Sequence, residues 1–288
     1  MPKKRTRNTL NRTPNRPLNR LPSPKECQQT QSTMLDYEKL NVYQKSLAFF
    51  THEEEMTATW PNGLAVTDEL SRACPSILSN LAMAVATRST KLRVHQLDYA
   101  LGSALECAAC LDVAYVMKLI EQEVSQARKA DLANIARMLV GLRKAWLNRV
   151  KEPRQEYSAG DVDDFSTWFP HEKMDVYQVS LQVVEWFHRA VFSTVPKSRI
   201  SSQLDKQTCA VVLHIAEGNG RFHALDHRTF LTKARHAAVK AGTLIDMIEA
   251  TPENDFSDGK YGKVRLDRVV TMLAALSGYL EEERDMGR

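Results

Sequence analysis

At 288 residues the chain is long enough for two small domains, each with a core of its own. Its five cysteines (Cys27, Cys74, Cys107, Cys110 and Cys209) are an odd, thinly spread set, which argues against a disulfide-stapled secreted fold. The net charge of +4 is unevenly placed: residues 1–31 hold eight Lys and Arg against the single acid Glu26, leaving 39 − 8 = 31 basic and 35 − 1 = 34 acidic residues elsewhere. The body is therefore slightly acidic, and a uniformly basic fold is excluded. No apolar run approaches the roughly eighteen residues that cross a membrane, and no secretory segment is recognised. The expectation is a cytoplasmic protein with no membrane partner.

Residues 1–31 read as a disordered basic arm. Pro2, Pro14, Pro17, Pro22 and Pro24 exclude a long helix, and apolar residues are too few for a core. An Asn-Arg pair recurs every four residues at Asn11-Arg12, Asn15-Arg16 and Asn19-Arg20. Together with Lys3, Lys4, Arg5 and Arg7, these arginines suit phosphate contacts along a nucleic acid. A solubilising tail is the alternative reading.

From Asp36 the apolar spacing is helical. It predicts helices over 36–57, 65–87, 92–124 and 127–151, with Pro61-Asn62-Gly63 turning between the first two and Ser89-Thr90 placed to cap the third. A stretch at 152–170, with Pro153, Gly160 and Pro170, reads as a linker. A second set of helices is predicted over 171–194, 198–218, 224–251 and 261–285. The two sets repeat one another. Glu38–Leu47 reads EKLNVYQKSL and Glu172–Leu181 reads EKMDVYQVSL, 172 − 38 = 134 residues apart. The same offset carries Leu132, Met138, Leu139 and Leu142 onto Leu266, Met272, Leu273 and Leu276. One offset held over a hundred residues points to a duplicated domain, and four amphipathic helices with short connections point to an up-down bundle. The predicted architecture is all-α: a disordered basic arm (1–31), a four-helix bundle (32–151), a linker (152–170) and a second antiparallel four-helix bundle in tandem (171–288).

The segment His214-Ile215-Ala216-Glu217-Gly218-Asn219-Gly220-Arg221 resembles the N-I-A-E-G-x-G-R signature of the four-helix-bundle proteins encoded in intervening sequences of large-subunit rRNA genes. Accessory variability determinants, which partner reverse transcriptases in diversity-generating retroelements, share that fold. Leu40-Asn41-Val42-Tyr43-Gln44-Lys45-Ser46 is similar to the family's opening, and Ala100-Leu101-Gly102-Ser103-Ala104-Leu105-Glu106 to its third-helix A-x-G-S-L-x-E. Each half keeps a different part: the first has Met83-Ala84 where the second keeps Glu217-Gly218, and the second has His236-Ala237 where the first keeps Gly102-Ser103. The resemblance implies a non-enzymatic, nucleic-acid-associated and often oligomeric bundle, with a reverse transcriptase among the partners it suggests. The pentameric rings of single-bundle members do not carry over, since five bundles do not divide among two-bundle chains.

Read without the family, the signature is helix packing followed by a stop at Gly218 and Gly220, where a close turn or a positive φ excludes a side chain. Basic residues gather around the connection between second and third helices in both halves: Arg88, Lys91 and Arg93 in the first, Arg221, Arg228, Lys233, Arg235 and Lys240 in the second. A helix bearing Arg228, Arg235 and Lys240 offers part of a phosphate-binding surface, and few aromatics lie nearby, which favours backbone or shape recognition over base stacking. The alternative is an ordinary solvated helix face. His223 and His227 have metal-ligand spacing without a third ligand, and Cys107-Ala108-Ala109-Cys110 has redox spacing inside an apolar helix, so no metal or cofactor is expected. Glu53-Glu54-Glu55 reads as a solvated face, and three aromatics in the linker (Phe165, Trp168 and Phe169) as a contact between the lobes or with a partner. The function expected is a non-enzymatic scaffold that binds structured RNA or a ribonucleoprotein. The competing expectation is a protein–protein assembly module, either an oligomer or a lobe–lobe assembly, with no nucleic-acid contact.

Overall fold

The repeated decapeptide is built twice in the same way. In the computed structural model a 3-10 turn, Asp36–Lys39, leads into α1 (Asn41–Thr57), and a second one, Pro170–Lys173, leads into α5 (Asp175–Trp186). The glutamine of each motif closes its turn: Gln44 Nε2 donates to the Glu38 carbonyl (2.8 Å) and Gln178 Nε2 to that of Glu172 (2.7 Å). The motif's valines, Val42 and Val176, are buried, and its serines, Ser46 and Ser180, donate back to those valines' carbonyls from inside the core. A serine pointing inward is tolerated because its hydroxyl finds that carbonyl. The structure describes residues 35–148, 169–192, 197–221, 224–251 and 258–286. The basic arm and most of the linker, with Phe165 and Trp168, lie outside them.

The remaining helices are α2 (Ala65–Ala86), α3 (Thr90–Val116), α4 (Gln122–Asn148), α6 (Arg199–Asn219), α7 (Ala224–Glu249) and α8 (Gly259–Met286). No strand occurs among the described residues. The starts of α1 and α5, α2 and α6, and α3 and α7 are all 134 residues apart (175 − 41, 199 − 65, 224 − 90). In each half the first helix lies against the second and the fourth, and the third joins those two, which closes a four-helix ring. Ser198 begins α6 with a capping box, trading bonds with Ser201. Ser89 takes the corresponding place before α3, but its side chain makes no capping bond.

The helix ends that depart furthest from the sequence expectation are those of α3 and α5, while α4 starts five residues early, at Gln122. Helix α3 stops at Val116 rather than near 124, because Lys118 turns into the left-handed region (φ 59°) and Leu119 N–H reaches back to the Ala114 carbonyl. That is the usual helix stop made by a lysine in place of glycine, so no glycine announced it. Helix α5 ends at Trp186, and Phe187–Phe192 continue as a π turn.

Asp36–Arg288 form one compact unit, and the apolar core runs through both halves. Helix α3 lies against α2 and α4 of its own half and against α5 and α6 of the other. Every residue from Ala100 to Leu111 is consequently buried. By length and composition α3 would pass for a membrane span, contrary to the expectation that no such run exists, but 78% of the apolar window is buried inside the protein. A helix apolar all round is what a central core position requires. Glu53 also departs from expectation. It is 1% exposed, accepts from Ser71 Oγ (3.0 Å), and burial raises its carboxyl pKa, while Glu54 and Glu55 face solvent.

The α5–α8 contact relies on Gly262. A Cβ there would lie 2.9 Å from Cε3 of Trp186 and nearer still to two other ring carbons. Trp186 is 1% exposed and its Nε1 donates to Asp258 (3.2 Å), so the ring has nowhere to move. Gly262→Val should therefore destabilise the protein by about 2 kcal/mol, seen as a Tm about 4–8 °C lower in a calorimetric scan.

Candidate nucleic-acid interface

A cavity of about 300 Å³ opens where α2 and α3 of the first half meet α6 and α7 of the second. Lys206 enters it from α6 and Lys233, His236 and Lys240 from α7; all four are exposed. The last three step along one face of α7 at spacings of three and four. Arg72 closes the first-half side, bonding Glu69 through Nε (3.0 Å) and Nη2 (2.6 Å), and bonding Glu106 as well. Glu106 is 4% exposed. Burial first, then the charge of Glu217 across the half–half contact, push its carboxyl up to about 7, against the pull of Arg72. His214 on the same wall is held down to about 4 by burial and by Lys233, so it is neutral at pH 7. With both acids bound to Arg72 and Glu106 partly protonated at pH 7, the four cations Arg72, Lys206, Lys233 and Lys240 leave the cavity positive.

The basic residues singled out in the sequence separate into distinct places. Lys233 and Lys240 line the cavity. Arg228 and Arg235 are half-buried on α7, about 120° around the helix from that face, so the expected Arg228–Arg235–Lys240 surface is not one surface. Arg88 and Lys91 are exposed near the α2–α3 connection, while Arg93 lies over the Trp146 ring (4.6 Å) and donates to the Thr87 carbonyl (3.0 Å). Arg221 is interior, its side chain 6% exposed, ion-paired with Glu217 and stacked between Tyr99 (4.8 Å) and Phe230 (4.7 Å). Lys3, Lys4, Arg5, Arg7, Arg12, Arg16 and Arg20 lie outside the described residues. Sequence reasoning missed Arg72 and Lys206. The repeat held the signal, since 206 − 72 = 134 puts a cation at equivalent positions of both halves.

The signature glycines act through close approach. Gly220 has φ −79°, so no positive φ is involved; a Cβ there would lie 2.7 Å from Leu105 Cδ1 and 3.1 Å from the Gly102 Cα. The third-helix motif kept by the first half thus packs on the second-helix motif kept by the second.

A polar cluster sits nearby, where α3, α4 and the second 3-10 turn meet. The ligating atoms of Asp112, His171 and Glu172 lie within 4.8 Å of one another. Lys129 Nζ sits 2.7 Å from both carboxylates, so the compensating cation belongs to the chain itself. Tyr177 donates to Asp112 (2.8 Å), and Phe169, the linker aromatic that is described, is buried beside Lys129. Cys107 and Cys110 are free, fully buried and raised in pKa by desolvation, which keeps them as thiols. None of these groups is arranged as an activated nucleophile.

No curated protein and no solved structure matches the chain. The family model of the 23S rRNA-intervening sequence protein matches residues 38–141, which hold α1, α2, α3 and most of α4. Over that segment the chain is similar to the 23S rRNA-intervening sequence proteins.

Proposed function

We propose that this protein is a non-enzymatic helical scaffold that associates with structured RNA through its phosphates. The observation that carries the reading is the positive cavity at the junction of the halves, rimmed by Lys206, Lys233 and Lys240 and backed by Arg72. The name of the matched family, with its reference to an rRNA intervening sequence, supports an RNA-associated role. Exposed lysines act as point charges toward phosphate, and a rigid helical rim fixes their spacing. A ribonucleoprotein partner, a reverse transcriptase among the candidates, is a finer form of the same proposal. It rests on the resemblance of His214–Arg221 to the signature of the rRNA intervening-sequence bundle proteins, whose fold the accessory variability determinants share. The basic arm adds affinity that does not depend on sequence.

The test is binding of a structured RNA as a function of salt. Lys206→Glu, Lys233→Glu and Lys240→Glu combined should weaken binding on the order of 10- to 100-fold and flatten the salt slope by about 2. Removal of residues 1–31 should lower affinity without abolishing it. Undiminished binding by the triple variant would remove the cavity from the interface. A full chain that ignores RNA at low salt would be a protein-only assembly module.

A further inference from the structure

The contact between the halves is one-sided. Helix α3 of the first half meets α6 and α5 of the second, while α7, the counterpart of α3, makes no comparable contact with α2 or α1. Such a contact is heterologous. Its two unused faces, here on α7 and at the end of α2, would accept further copies head to tail unless something closes them. At the joined crossing Gly102 and Gly220 let the backbones approach, and Arg221 reaches over to stack on Tyr99 while paired with Glu217.

The same positions, 134 residues away, are altered at both unused faces. On α7, His236 stands where the first half has Gly102, and Lys233 stands where it has Tyr99. On α2, Met83, Ala86 and Thr87 stand in place of Glu217, Gly220 and Arg221. The glycine crossing is filled from both sides, and the ion-paired, stacked arginine is lost. Lys233, His236, Met83 and Ala86 are all exposed, so these faces meet solvent.

We infer that the chain carries a second, closed copy of its own bundle–bundle interface, and that these substitutions stop it at two bundles. The partner each face is shaped to refuse is another copy of this chain. The face lost on α7 is the one that presents Lys233 and His236 to the cavity, so a self-packing surface has become a basic one. The inference does not depend on RNA binding, because its readout is mass.

In sedimentation equilibrium the full chain should behave as a single 32.6 kDa species. A variant opened on α7 (Lys233→Tyr, His236→Gly) and one opened on α2 (Met83→Glu, Ala86→Gly, Thr87→Arg) should each remain single and pair one to one on mixing. The five changes together should give species that lengthen with concentration. Folding is checked by helical content from circular dichroism. Should the five-fold variant not fold, the mixed pair decides alone. Should an opened half-variant also fail, Gly102→His decides: separation of the halves, seen as a larger hydrodynamic radius with helix content retained, is the expected result. A wild-type chain that already assembles end to end overturns the inference. So does a folded, mixed pair that stays at single-chain mass, or a Gly102→His protein with unchanged radius and Tm.

Discussion

Replacing His171 by phenylalanine should make the protein markedly more resistant to acid. His171 is 0% exposed and neither ring nitrogen has a hydrogen-bond partner. Its ring lies 4.8 Å from that of Tyr177 and 5.8 Å from that of Phe169, an aromatic setting in which another ring fits. Burial, and then the charge of Lys129, hold its pKa down to about 3, from an ordinary 6.5. A folded value below the unfolded one means the unfolded chain binds the proton first. The contribution is therefore complete above pH 6.5 and is lost as pH falls toward 3, by about 5 kcal/mol over the full window. Relative to wild type, His171→Phe should gain about 3 kcal/mol between pH 7.5 and pH 4.5, measured by urea unfolding at each pH. A difference that stays flat across that range would show that the imidazole does not resist protonation.

Glu106→Gln should do the reverse, stabilising the protein in mild alkali. The Glu106 carboxyl is raised from 4.5 to about 7. Here the folded state holds the proton more tightly, so the contribution is complete below pH 4.5 and is lost as pH rises through 7. The penalty at pH 8 is about 3 kcal/mol, and it already includes the help of Arg72. A neutral glutamine still offers an oxygen to Arg72, which keeps Glu69. The variant should match wild type near pH 4.5 and exceed it by up to about 3 kcal/mol at pH 8. Between pH 4.5 and 6.5 the two slopes oppose each other in the wild-type chain. Each single substitution should uncover the slope of the other residue, a sharper check than either stability alone. A Glu106→Gln protein weaker than wild type at pH 8 would mean that the ion pair with Arg72 outweighs desolvation.

The helices and their tandem order were legible because bundle helices announce themselves by apolar spacing, and here they do so twice. The VYQ motif was visible as a repeat, but its reason, a glutamine closing a 3-10 turn, is a hydrogen bond that spacing alone does not reveal. The end of α3 was missed because Lys118 does a glycine's work. Glu53 was read as solvated because two exposed glutamates follow it and its partner Ser71 lies on another helix. The cavity was illegible for a broader reason. Its residues come from four helices in two halves, and only the half–half packing brings Arg72 opposite Lys233 and Lys240. Grouping charges by nearness in sequence joined Arg228 and Arg235 to Lys240, where the helical turn sets them apart.

The central position of α3 has a consequence for how the two copies are free to change. A residue on α3 answers to neighbours in both halves at once, so most changes from Ala100 to Leu111 disturb two surfaces together. Its counterpart α7 packs on α6 and α8 of its own half and turns Lys233, His236 and Lys240 into the cavity, where a new side chain meets open space before it meets packed core. Tolerance is therefore unequal between the copies: substitutions on the crowded helix should cost more stability than charged ones on the cavity side of α7. In a fused pair of this kind the outer helix is the place where side chains can be exchanged at low cost, and the inner one keeps the pair together.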